Sequence, residues 1–127
     1  AKQSQRDGIR AADDAVTREQ IMKLVVAAHG VEQNARRALV PELCDHPMRL
    51  PLQTKVSKSE LEQAVARLGS ELAGAAGQLA TLDARAPEHG HWPFAYMNSF
   101  GFTIAAGASE IQRNILGERV LGLEKSK

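Results

Sequence analysis

Four side chains of the types that bind zinc occur in two pairs, Cys44 with His46 and His89 with His91. Thiolate and imidazole groups in this number could form a tetrahedral structural site. The helix expected over residues 57–83 lies between the pairs, however, and separates them by roughly 40 Å at the helical rise per residue. We therefore expect loop histidines, a partly buried thiol and no metal site.

Nucleophilic catalysis and nucleic-acid binding find little support in the sequence. Cys44 has only His46 nearby as a base, which is a weak signal for an activated nucleophile. Arg36 and Arg37 form a short basic cluster without interleaved aromatic residues, which is typical of a solvated helix face. A net charge of +1 provides no global attraction for polyanions, so we expect no nucleic-acid partner.

The segment 107–112 is a stronger candidate for a binding site. It places several backbone N–H groups and Ser109 at an expected helix N-terminus, where an anionic or carbonyl-bearing ligand could bind. The alternative is an ordinary helix cap, with Ser109 as the N-cap and Gln112 three residues later in a capping box. The residues alone favour the cap.

The elements expected to position this segment are helical. Alanine and leucine are frequent, β-branched residues are few, and no window alternates as a half-buried strand would. We expect a first helix that begins between Asp14 and Arg18 and ends before Pro41, and then an extended connector over 41–55. A second helix from Ser57, a third over 92–104 and a short fourth after Gly107 complete an all-α, up-and-down helical bundle.

The second helix has the clearest pattern, because its apolar residues alternate at intervals of four and three. These residues are Leu61, Val65, Leu68, Leu72, Ala75, Leu79 and Leu82. Gly69, Gly74 and Gly77 each weaken this helix by about 1 kcal/mol relative to alanine and allow a neighbouring helix or a ligand to approach closely. Helix packing is the favoured reason.

Length and composition indicate one globular domain of 127 residues. Residues 1–13 are polar and have no initiator Met, so we expect an arm or linker, followed by a helical domain over 14–127 that is a piece of a longer protein. The longest uncharged stretch, 89–109, is too polar for a membrane span. The single Cys44 is compatible with a reducing compartment, and we expect a cytoplasmic location.

The run G-A-S-E-I-Q-R-N-I-L-G-E-R-V-L-G-L over 107–123 closely resembles the C-terminal signature of flavin-dependent acyl-CoA dehydrogenases. Looser similarity extends upstream over 13–24, over 92–104 and over 55–78, where the family has a helix with a K-x-x-x-S-E pattern. The resemblance implies the C-terminal helical-bundle domain of a longer bacterial enzyme of lipid metabolism, whose N-terminal helical and middle β domains are absent from this sequence.

The resemblance also implies a reaction, a cofactor and partners. Family members oxidise an acyl-CoA thioester to the trans-2-enoyl-CoA: a glutamate removes the α-proton, and the β-hydrogen passes as hydride to FAD. Electron-transfer flavoprotein then reoxidises FAD, and the subunits form homo- or heterotetramers. The chain would contribute to the flavin and acyl-CoA site and to tetramer packing.

Many family members read Y-E-G-T-S-Q-I-Q-R at the turn that aligns with residues 105–113. Ala106 occupies the position of the glutamate base and cannot accept a proton, so the turn supplies no catalytic residue. By the same resemblance, Ala106 and Gly107 bind substrate, and Ala108, Ser109 and Glu110 lie beside FAD. Ala108 replaces the usual threonine and so removes one hydroxyl contact.

Several explanations of Ala106 stay open. The base can lie on an earlier helix upstream of this chain, or the chain can belong to a non-catalytic partner subunit of a heteromeric enzyme. Glu110 as a substitute base and a generic helical module unrelated to flavin are weaker alternatives. In each case we expect the isolated 127 residues to be inactive.

Overall fold

The computed structural model describes residues 5–6, 8–81 and 83–125. Its α-helices are α1 (Ala15–Arg37), α2 (Arg49–Leu72), α3 (His91–Ile104) and α4 (Ser109–Ile115). Short 3₁₀ segments cover Pro41–Leu43, Gly74–Gln78 and Pro87–Gly90, and a π-type turn covers Leu116–Val120. Two strands, β1 (Gln5–Arg6) and β2 (Ile9–Arg10), precede the helices and pair antiparallel.

Helix α2 is the central element of the bundle, since both α1 and α3 pack against it. The start of α1 lies beside the end of α2, with Leu24 near Leu68, and the end of α1 lies beside the start of α2. Trp92 at the start of α3 contacts Gly69 near the end of α2, so α3 is also antiparallel to α2. The prediction of an all-α, up-and-down bundle is confirmed.

Helix α1 begins within the range that the sequence indicated. Asp14 is the N-cap: its Oδ2 accepts hydrogen bonds from the backbone N–H of Thr17 at 2.8 Å and from the Thr17 hydroxyl at 2.7 Å. A carboxylate here also interacts favourably with the positive end of the helix dipole. The helix ends with Arg36 and Arg37, whose positive charges interact favourably with the negative end of the helix dipole.

The expected extended connector over 41–55 is wrong in its second half, because α2 begins at Arg49. Pro51 lies in the first turn of α2, where the N–H groups have no intrahelical partner and a proline therefore removes no hydrogen bond. Ser57 consequently lies inside the helix, and the prediction that the helix begins there is wrong. The true N-cap, Met48, makes no side-chain capping bond.

Helix α2 also ends earlier than the apolar pattern suggested. Gly74 follows the C-cap residue Ala73 with a φ of 59°, the left-handed conformation that commonly terminates helices. Ala75 and Leu79 of the predicted seam therefore lie beyond the helix, and Leu82 lies outside the described residues. The most buried side chains of α2 are instead Leu50, Val56, Ser59 and Ala66.

Gly69 has the packing role that the sequence favoured. A Cβ at this position would lie 2.7 Å from Cζ3 of Trp92 and closer still to two other atoms of the indole ring. The absence of a side chain at Gly69 therefore allows Trp92 to lie directly against the backbone of α2. This contact sets the separation of α2 and α3 at one end of the bundle.

The described part of segment 1–13 contains the β1–β2 hairpin, with Gln5 paired to Arg10. Ala11 follows the hairpin and is only 1% exposed, while Arg10 and Asp13 form an exposed ion pair at 2.7 Å. The assignment of 1–13 as an arm and of 14–127 as the domain stays a prediction.

Several large apolar side chains on α1 and α3 are more than half exposed. On α3, Phe94, Met97 and Ile104 are 60–68% exposed, and on α1, Val26 is 67% exposed. Monomeric proteins rarely leave such faces open to water, and larger exposed patches commonly mark interaction surfaces. No helix in the described ranges is long and apolar enough to cross a membrane.

Candidate functional site

The turn between α3 and α4 has an unusual backbone. Ala105 caps α3, and its N–H donates to the carbonyl of Gly101 at 2.8 Å. Ala106 and Gly107 then have φ values of 56° and 98°. The left-handed region is uncommon for any residue with a Cβ, so Ala106 is held there by its surroundings.

Two side chains bind the carbonyl groups of this turn. Lys55 of α2 donates through Nζ to the carbonyl oxygen of Gly107 at 2.6 Å and to that of Thr103 at 3.3 Å. Gln112 of α4 donates through Nε2 to the carbonyl oxygen of Ala106 at 2.6 Å. Both consecutive peptide groups of the turn are therefore held from outside the turn.

A third connection ties α4 to α2. The Nη2 atom of Arg113 lies 2.6 and 2.7 Å from the two carboxylate oxygens of Glu60. The side chains are 53% and 39% exposed, so solvent screens the pair and its contribution to stability is about 0–1 kcal/mol. The pair orients α4, and Lys55 and Gln112 set the shape of the turn.

The carbonyl groups of Ala106 and Gly107 are bonded, whereas the N–H groups of the turn have no partner in the part of the chain that the structure describes. Within the described ranges, the backbone N–H groups of Ala106, Gly107, Ala108 and Ser109 donate to no other protein group. The first N–H with a partner is that of Gln112, which bonds the carbonyl of Ala108 at 2.9 Å. Adjacent free donors of this kind can bind a carbonyl or anionic oxygen.

The predicted capping box at Ser109 and Gln112 is wrong. Ala108 is the N-cap of α4 and makes no side-chain bond, while Ser109 is the first helical residue. Ser109 is 5% exposed and Gln112 is 7% exposed, and both Oγ of Ser109 and Oε1 of Gln112 lack a hydrogen-bond partner. Gln112 instead uses its amide nitrogen to bind Ala106, a contact that local spacing does not predict.

An open cavity of ≈ 320 Å³ lies beside the turn. Its walls come from the middle of α2, the end of α3 and the start of α4: Glu60, Gln63, Thr103, Ile104, Ala108, Ser109 and Glu110. Ala108, Ser109 and Glu110, which the sequence associated with the cofactor, thus face one space. Ala106 and Gly107 directly precede these lining residues in the chain, and Ala106 is exposed.

Ala106 offers no acid–base chemistry, since its side chain is a methyl group. Glu110, considered as a substitute base, is exposed in the first turn of α4. The chemistry that this turn can perform is therefore hydrogen bonding from the main chain to an oxygen of a ligand.

The other candidate groups lie apart from this turn. Cys44 is a free thiol whose Sγ contacts the carbonyl oxygens of Arg37 and Val40, and Nδ1 of His46 accepts from the N–H of Met48. In the part of the chain that the structure describes, no three His, Cys, Asp or Glu residues lie together as potential metal ligands.

Lys55 is the site residue that the sequence reasoning did not single out. Its signal is the K-x-x-x-S-E pattern, because residues four apart lie on one face of a helix and Ser59 is buried. Its contact with Gly107 joins residues 52 positions apart in sequence, which local periodicity cannot predict.

The fold matches that of a solved structure from Mycobacterium tuberculosis, the crystal structure of the ChsE4-ChsE5 complex. The TM-score is 0.79 at 22% sequence identity, and the match covers 97% of this chain and 32% of that chain. The similarity at this identity shows the fold alone, which is that of a helical-bundle domain.

Residues 1–121 match the family model for the acyl-CoA dehydrogenase C-terminal domain, and the chain belongs to this family. A relative from Mycolicibacterium smegmatis, the acyl-CoA dehydrogenase IpdE1, is 30% identical over 118 residues. That alignment covers 91% of this chain and 27% of the relative. The chain thus spans about a quarter of the length of the relative.

Proposed function

We propose that this chain is the C-terminal helical-bundle domain of an FAD-dependent acyl-CoA dehydrogenase subunit and forms one wall of its flavin and acyl-CoA site. The observation that carries the proposal is the turn at Ala106 and Gly107. Its carbonyl groups are fixed by Lys55 and Gln112, and its N–H groups are free. The turn lies within the range that matches the family model.

The proposed reaction is the α,β-dehydrogenation of an acyl-CoA thioester to the trans-2-enoyl-CoA. Removal of the α-proton places negative charge on the thioester carbonyl oxygen, and fixed donors at that oxygen lower the barrier. The N–H of Ala106 supplies such a donor, and Gly107 lies against the substrate. FAD, when bound, accepts the β-hydrogen as hydride.

The residues of the turn fit a flavin through the main chain rather than through side chains. Ala108 has no polar side chain, and the Ser109 hydroxyl is buried without a partner. Glu110 carries a negative charge that would repel a phosphate. The free N–H groups of Ala108 and Ser109 remain as donors for flavin oxygens, beside the cavity that these residues line.

The proton acceptor must lie outside this turn, because Ala106 occupies the position of the family base. An active subunit would carry its base on an upstream helix. The second candidate function is a non-catalytic partner subunit of a heteromeric enzyme, and Ala106 is the observation that favours it. The ChsE4-ChsE5 structure is a complex of two differently named proteins, which supports a heteromeric arrangement here.

Packing against other subunits is a further part of the proposal. We propose that the exposed apolar side chains of α1 and α3 are buried in interfaces, since burying a large apolar side chain stabilises by about 1.5–3 kcal/mol. These interfaces would form with the remaining domains and within a homo- or heterotetramer of acyl-CoA dehydrogenase subunits. Electron-transfer flavoprotein is the proposed electron acceptor, and the cytoplasm is the proposed location.

The test is the acyl-CoA-dependent reduction of an electron-accepting dye by the full-length subunit, purified alone and together with a neighbouring homologue. Activity of the subunit alone would assign the base to an upstream helix. Activity only in the pair would assign the subunit to the non-catalytic role. The same assay on the isolated 127 residues should give no turnover, and turnover by them would contradict the proposal.

A glutamate restored at the turn separates the two roles further. Ala106→Glu should add little activity where an upstream helix already supplies the base, and should create activity in a non-catalytic subunit that binds FAD but lacks a base. Ala106→Gln is the matched control, because it has similar size and cannot act as a base. Equal activities of the two variants would show that a carboxylate at this position does not act as the base.

A further inference from the structure

The contacts of Lys55 differ in kind from those of the other described lysines for which the structure shows a partner. Lys23 and Lys58 form exposed ion pairs with glutamates one helical turn away, Glu19 and Glu62. Lys55 is half-buried, and within the described ranges it has no acidic partner. Its ammonium group donates to the carbonyl oxygens of Thr103 and Gly107. The position of this charged group against two neutral carbonyl oxygens indicates that Lys55 has a role in holding them, which an uncharged surface residue would not have.

The bond to Gly107 fixes a peptide plane. The chain has no cis peptide bonds in its described part, so each carbonyl and the following N–H point in opposite directions. Because the Gly107 carbonyl points at Lys55 on α2, the N–H of Ala108 points away from α2. The bond from Gln112 to the Ala106 carbonyl likewise directs the N–H of Gly107 away from the Gln112 side chain.

The backbone of the turn would not hold this geometry unaided. Ala106 and Gly107 both have positive φ, and left-handed conformations cost of order 1–3 kcal/mol for residues other than glycine. Hydrogen bonds to charged groups contribute about 1.5–3 kcal/mol, which is enough to offset that cost. Lys55 is the charged donor at the turn.

We propose that Lys55 is a positioning residue: it acts from α2 to hold the peptide plane of Gly107 and Ala108, so that the free N–H of Ala108 points at the flavin and the turn keeps the shape that presents the N–H of Ala106 to the thioester. This inference rests on the proposed function. It gives α2 a role in the site, although the groups that would contact the ligands lie in the turn. The competing explanation is that Lys55 only caps the C-terminus of α3, where a cation interacts favourably with the helix dipole.

The experiment compares Lys55→Met with Lys55→Arg and with the control Lys58→Met in the full-length protein, together with its partner subunit if one is needed. Two quantities are measured: amide hydrogen exchange over 104–112, and kcat and KM for acyl-CoA-dependent dye reduction. Lys55→Met should increase exchange in the turn and lower kcat on the order of tenfold to a hundredfold, with a much smaller change in KM. Lys55→Arg should recover part of the loss, and Lys58→Met should match the wild type.

Each other outcome overturns the inference. Unchanged exchange in Lys55→Met would show that the lysine does not hold the turn. Faster exchange with unchanged kcat, or with a change in KM alone, would leave only the capping role. The wild-type arm tests the proposed function separately: if acyl-CoA neither reduces the dye nor protects residues 104–112 from exchange, the proposed function fails and the turn has no thioester to orient.

Discussion

Replacing Gly69 with alanine tests the packing of α2 against α3. In an exposed helix, this change stabilises by up to about 1 kcal/mol because alanine has the higher helix propensity. At Gly69 the new methyl group would overlap three ring atoms of Trp92, one of them at 2.7 Å. Overpacking costs about 1–3 kcal/mol, and a rigid indole against a helix backbone belongs at the upper end. We expect a net loss of about 2 kcal/mol in the free energy of unfolding.

Urea unfolding followed by the helical circular dichroism signal measures this loss. Gly30→Ala is the matched control, because Gly30 lies inside α1 and a Cβ there would meet no packing neighbour within 4 Å. It should stabilise by about 0.5–1 kcal/mol. If Gly69→Ala stabilised the protein as much as Gly30→Ala does, the close approach of Trp92 to α2 would be refuted.

Three further changes test local features. Gly107→Ala should destabilise by at least about 1 kcal/mol, because φ is 98° and a Cβ would meet Nε2 of Gln112 at 2.6 Å; equal urea midpoints would contradict this. Asp14→Ala should cost about 1 kcal/mol through loss of the α1 cap, and Asp14→Asn should retain most of the stability. The guanidinium of Arg85 lowers the pKa of Asp83 from 3.8 by hydrogen bonding. Arg85→Ala should therefore raise that pKa in an NMR titration, and any stabilisation from the pair is lost as pH falls through the lowered value.

Local signals were sufficient for part of the fold. The start of α1, the third helix and the turn at Gly107 follow from capping residues, proline and glycine positions and apolar spacing. The start of α2 was predicted at the wrong residue because a proline such as Pro51 has different effects at different positions. Proline interrupts a helix when it lies in the interior, but it is tolerated in the first turn. The apolar seam was extended too far because Gly74 stops the helix while the periodicity continues.

The sequence predicted where the candidate site lies in the chain, but not which side chains hold its backbone in place. Resemblance to the family directed attention to Ala106, Gly107 and Ser109, and the structure adds the groups that hold them. Lys55 reaches the turn from 52 residues away, and Gln112 bonds a carbonyl instead of forming a capping box. Such contacts depend on how helices pack, which spacing within one helix does not determine.

The central claim is that this chain forms part of an acyl-CoA oxidising flavoprotein. The most direct measurement is an anaerobic titration of the full-length protein, with its partner subunit, by acyl-CoA while the flavin absorbance is recorded. The account predicts bound flavin that is bleached by acyl-CoA, with slower bleaching in Lys55→Met. Flavin that stays oxidised in the subunit and in the complex at saturating acyl-CoA would contradict it.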